Sequence, residues 1–159
     1  LGLGREAERR AKGEDRDGFA LVARMHSSRE RAWRARWPRG PVEQLERAIA
    51  LREQGTLPLS KIREVGALLR HLPSRDATLA DEARWVDLLG KEVRRVLARV
   101  ELGSSSAGLT PEQAGLSSEA PRSWRTAHEQ VESWVERLLL AELFVRATPS
   151  AQRAVGADS

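Results

Sequence analysis

Apolar residues recur along most of this chain at intervals of three and four, the spacing that gathers side chains on one face of an α-helix. The longest such run, 79–102, carries Val86, Leu89, Val93, Val96 and Val100 at 3-4-3-4, and Trp85, Leu88 and Leu97 widen the stripe toward a second neighbour. Thr78 and Asp81 make a candidate capping box ahead of it, and Gly103 ends it. A second run, 123–147, sets Ala127, Val131, Trp134, Leu138, Ala141 and Val145 on a heptad-like seam. Leu139, Leu140, Leu143 and Phe144 make its second half apolar nearly all round, so the rest of the fold or a partner must cover it.

Between Pro41 and Pro73 the pattern predicts two shorter helices. Pro41 suits a first helical position, Val42, Leu45, Ala48 and Ile49 supply the stripe, and Gly55 is placed to end the helix in a left-handed turn. Ser60 then serves as N-cap for 61–72, where Ile62, Val65, Leu69 and Leu72 share a face. The short connection predicts a helical hairpin. Nearer the N-terminus, Phe19, Val22, Ala23 and Met25 predict a helix from about Asp17. Ser27-Ser28-Arg29-Glu30 predicts a cap for another, with Trp33 and Trp37 four apart on one side.

Residues 1–18 mix charges with glycines and predict a flexible or partner-ordered arm, while 148–159 predict a loose tail. Segment 103–122, rich in Ser, Gly and Ala, predicts a surface linker with one helical turn at Thr110-Pro111-Glu112-Gln113. The expected architecture is all-α: an antiparallel bundle of about four to five helices, its core in 19–102, with 123–147 packing on that core or on a partner. Its expected interior is Leu45, Ile49, Ile62, Val65, Leu69, Val86, Leu89, Val93, Val96, Val131, Trp134, Leu138 and Val145.

Charge changes the picture at the N-terminal end. Residues 1–40 hold eleven basic and six acidic side chains, whereas 102–159 hold five and seven. Only three of the 27 basic residues are lysine, a bias that fits either guanidinium recognition of oxyanions or a GC-rich genome. Within 29–39, Arg29, Arg31, Arg34, Arg36 and Arg39 alternate with Trp33 and Trp37, the pairing of phosphate donors with stacking rings found in single-strand binders. The plainer reading has both indoles docking on the core while the arginines reach back to water.

Candidate catalytic chemistry is sparse. Without cysteine, disulfides, thiolate metal sites and thiol nucleophiles are excluded. His26, His71 and His128 lie far apart, and His128 with Glu132 reads as a helix-face pair rather than a metal grip. No Gly-x-Ser-x-Gly elbow or phosphate-binding glycine loop occurs. Carboxylates such as Asp81-Glu82 fall at helix starts, where the backbone dipole favours them. No catalytic, cofactor or metal residue is therefore expected. Residues 42–72 also fit a helix-turn-helix, with 61–72 as recognition helix and a weakly basic outer face at Lys61, Arg63, Glu64, Arg70 and His71.

Leu57-Pro58-Leu59 and Ala83-Arg84-Trp85-Val86-Asp87 resemble the helical region that follows the catalytic core in a family of lysine demethylases. The spacing is longer here, and no residue role or function carries over.

The leading expectation is a non-catalytic scaffold or adaptor subunit of a larger assembly, with Trp134, Leu138, Leu139, Leu140, Leu143 and Phe144 as candidate protein interface. The second is a peripheral RNA- or DNA-binding component of a ribonucleoprotein, such as an organellar ribosome, gripping through the arginines and tryptophans of 29–39. A homo-oligomer is compatible with both. No apolar stretch reaches the length of a membrane span, and an intracellular setting is favoured. A first residue other than Met fits a processed organellar chain or an excised piece.

Overall fold

A computed structural model of the chain describes residues 2–11, 17–24, 30–100 and 108–147. In chain order these form helix α1 (Gly2–Ala11), strands β1 (Gly18–Arg24) and β2 (Glu30–Arg36), then helices α2 (Pro41–Glu53), α3 (Leu59–His71), α4 (Glu82–Leu97) and α5 (Trp124–Ala147). A short 3₁₀ turn, Trp37–Arg39, joins β2 to α2. The all-α expectation is therefore corrected: the fold is α+β, five helices and one antiparallel hairpin among the described residues.

The hairpin replaces the two helices expected after Asp17. Its register runs from Gly18 opposite Arg36 to Arg24 opposite Glu30. Phe19, Leu21 and Ala23 thus share a face with Ala35, Trp33 and Arg31. That face meets α5: the Trp33 indole N–H donates to Ser133 Oγ at 2.9 Å, and Arg31 donates to both Glu136 carboxylate oxygens at 3.1 Å. β1 carries apolar residues at Ala20 and Val22 on its other face too, so it lacks the alternation that marks a half-buried strand. α1 lies against β1. Position 33 lies in β2 and position 37 opens the 3₁₀ turn after it; a spacing of four returns to the same side under a period of two as well as of 3.6, so the tryptophan spacing suits either element. The cap expected at 27–29 lies outside the described residues, as does the tail 148–159.

The remaining helices form close to where the pattern puts them. Pro41 opens α2 behind Gly40, and Gly55 follows it at φ +67°. Pro58 rather than Ser60 precedes α3, and the side chain of Asp81 caps α4 by accepting from the Arg84 amide at 3.1 Å. At 110–116 the Thr110 hydroxyl accepts from the Gln113 amide while the Gln113 side chain accepts from the Thr110 amide, closing the expected single turn. That segment also sends Leu109 and Ala114 into the interior.

α5 is the hub, packed by α2, α3, α4 and β2. Ala127, Val131, Trp134, Leu138 and Ala141 are buried along its seam against Ile62, Val65, Leu69, Leu89, Val93 and Val96. Ile49 and Val86 cover the margin, whereas Leu45 and Val145 are only half-buried. Three buried tryptophans anchor this hub, each with its indole N–H satisfied, as burial requires. Trp33 reaches Ser133, Trp124 reaches the Ser74 carbonyl at 2.9 Å, and Trp134 reaches the Ala114 carbonyl at 2.8 Å.

Candidate functional site

β2, the start of α2, the 112–119 segment and α5 enclose an open cleft of about 980 Å³. Arg34, Arg36 and Arg39 line it from the hairpin side, all three exposed. Arg47 enters from α2 and Arg137 from α5. Asp17, Glu112, Glu119 and Glu129 also line it, so its charge is mixed, although Glu129 is already engaged by Arg125 at 3.3 Å.

The fold divides the arginine–tryptophan cluster of 29–39. Arg34, Arg36 and Arg39 are brought together on the cleft. Arg31 is turned to Glu136, and Trp33, 2% exposed, belongs to the core. Trp37 is 52% exposed and meets Phe19, which lines the cleft, edge-on at 5.6 Å between ring centroids. Arg29 lies outside the described residues.

Two arginines that sequence reasoning missed complete the cleft. Arg137 is buried, its Nη2 donating to the Gly115 carbonyl at 2.7 Å and its Nη1 to the Gln44 side-chain oxygen. Gln44 is itself fixed by donating to the Arg39 carbonyl at 2.5 Å. The Arg137 guanidinium also sits 5.5 Å from the centroid of the Trp33 ring, within cation–π range. Burial, and then the charge of Arg47, lower its pKa to about 10, which leaves it cationic at neutral pH. A signal for Arg137 was present: it falls three residues after Trp134 and four before Ala141, a charge inside an apolar stripe.

The apolar candidates separate as well. Trp134, Leu138 and Leu140 are buried in the chain's own core, Leu139 and Leu143 are half-buried, and Phe144 is exposed. His128 is buried edge-on against Trp124, its Nδ1 3.9 Å from Glu132. Among the described residues no group of three or more His, Asp or Glu side chains is placed to hold a metal ion, and no helix is long and apolar enough to cross a membrane. On the proposed recognition face of α3, Lys61 is paired with Glu64 at 3.0 Å.

No family model, no curated protein and no solved structure matches this chain.

Proposed function

We propose that this chain is a non-catalytic binding module that holds single-stranded nucleic acid along the arginine-lined cleft. One observation carries the reading: five arginines from the hairpin end, α2 and α5 line a single cleft, and the half-exposed indole of Trp37 meets Phe19 at its edge. Guanidinium forks match the geometry of phosphate oxygens, and an exposed ring offers a surface on which a base stacks. The acidic residues of the same cleft temper the field, so binding rests on placed guanidiniums rather than on a uniformly positive surface. The adaptor reading is weaker, because three of the six apolar residues it relies on are spent on the chain's own core.

The test is fluorescence anisotropy of short labelled RNA and DNA strands, titrated at several salt concentrations. Binding should weaken as salt rises, log K falling with log salt by about 0.7 for each phosphate contacted. No anisotropy change at low salt, or binding indifferent to salt, overturns the reading. A preference for RNA over DNA would identify the natural strand.

A further inference from the structure

We propose that Arg47 and Arg137 form a seat for one phosphoryl group in the cleft wall beside Gly115. Arg137 is 7% exposed, yet everything that touches its guanidinium is neutral: the Gly115 carbonyl, the Gln44 amide oxygen and the Trp33 ring. Its Nε is buried with no hydrogen-bond partner. Arg47 repeats the pattern, its Nη2 donating to the Glu112 carbonyl at 2.7 Å. A Cβ built on Gly115 would lie 4.0 Å from Arg47 Nε, so both guanidiniums close on the same turn. Among the described residues neither arginine has a carboxylate within ion-pairing distance.

Carbonyls and amide oxygens orient a guanidinium without neutralising it, and buried cations are ordinarily paired with an anion. Buried Arg137, held only by neutral acceptors, therefore lacks a counter-charge, and the exposed Arg47 beside it adds a second cation. Burial and mutual repulsion already weaken the hold of Arg137 on its proton, and an anion between the two would relieve both effects. The planar forks favour an oxyanion over a spherical ion. The occupant is a backbone phosphodiester of the bound strand, an assignment that rests on the nucleic-acid reading above. The seat itself requires only a phosphoryl oxyanion.

The experiment uses the whole chain, with Arg47→Gln and Arg137→Lys variants, and two probes: inorganic phosphate against chloride at matched ionic strength, and the labelled single strand. Arg47 is exposed, so its replacement spares the core. Phosphate should raise the melting temperature of the unaltered chain in a saturable way, and Arg47→Gln should abolish that rise. The same variant should weaken strand binding about tenfold and lower the salt slope by about 0.7, the share of one phosphate contact. Arg137→Lys keeps the charge but loses the fork, and should show the same two losses in smaller degree. If the strand binds while both variants match the parent and phosphate gives no rise, the seat is overturned and the nucleic-acid reading stands. If phosphate protects all three proteins equally, the seat is overturned as well. If no strand binds but phosphate protects the parent and not Arg47→Gln, the seat stands with a free phosphoryl ligand, and the nucleic-acid reading falls.

Discussion

Arg52 Nη2 lies 2.6 Å from Glu142 Oε2, tying α2 to α5 with side chains only 11% and 13% exposed. Arg146 reaches the other carboxylate oxygen at 2.8 Å, and Arg52 also donates to the Leu57 carbonyl at the end of the α2–α3 turn. One carboxylate thus balances two guanidiniums at the junction of three elements. Glu142→Gln should cost about 3 kcal/mol, because it leaves Arg52 buried without its counter-charge. Urea unfolding measures this, and a loss below about 0.5 kcal/mol would show that the pair is as dispensable as an ordinary surface substitution.

The same pair predicts a response to acid. Burial pushes the Glu142 carboxyl up, but hydrogen bonds from Arg146 and Arg52, together with their charges, outweigh it and hold the pKa below the usual value. A carboxylate depressed in the folded state contributes stability above its unfolded pKa and loses it as the pH falls through the folded one. Stability should therefore be complete at neutral pH and decline once the pH drops through the ordinary glutamate range. Glu142→Gln should remove this component, so that its urea midpoint falls less steeply with acid; parallel curves would count against it.

Trp33→Ala should cost about 3–5 kcal/mol, the usual penalty for emptying a large buried aromatic site. Trp33→Phe keeps much of the volume but gives up the bond to Ser133, for a further loss of about 1 kcal/mol beyond packing. Thermal unfolding of the two variants should rank them in that order. Equal melting temperatures for both would show that the ring volume contributes nothing.

Gly115 sits at φ +78°, where a Cβ is strained, and the nearest atom a Cβ would meet, Leu51 Cδ1, is 3.6 Å away. Gly115→Ala should therefore cost roughly 1–2 kcal/mol from backbone conformation rather than from a clash. Gly115→Asn should cost less, since asparagine tolerates the left-handed region. Denaturation midpoints that place Asn below Ala would contradict this assignment.

Trp37→Ala should barely alter the unfolding midpoint, because the ring is half in solvent. Strand affinity should fall by about 1–3 kcal/mol if a base stacks there. Anisotropy titration of this variant separates the two quantities, and unchanged affinity would remove Trp37 from the binding surface.

α4 and α5 were legible because long runs of one period leave little choice of element, and Pro41 and Gly55 are local signals that act whatever surrounds them; the capping box expected to open with Thr78 gives way to Asp81 itself as the cap, three residues on. The hairpin was not legible. β1 is apolar on both faces, and its Ala, Leu and Arg residues favour helix by intrinsic propensity, so its pairing is imposed by Trp33 and Arg31 docking on α5 a hundred residues away. Of the five arginines of 29–39, Arg34, Arg36 and Arg39 line the cleft. Local spacing could not tell that Arg31 would find Glu136, or that Trp33 would be buried while Trp37 stayed out. Arg137 was overlooked because an apolar seam invites attention to its leucines rather than to the charge among them.

The hub position of α5 bears on how the protein is made. β2, α2, α3 and α4 all close on a helix that follows every one of them in the chain. Translation delivers about 5–20 residues per second, whereas hairpins and helices form within microseconds. The upstream elements therefore wait for seconds with their apolar faces bare, until Trp124–Ala147 has left the exit tunnel. Completion of the interior is a single late event during synthesis, and the nascent chain before it is a natural client for chaperones that hold exposed apolar segments.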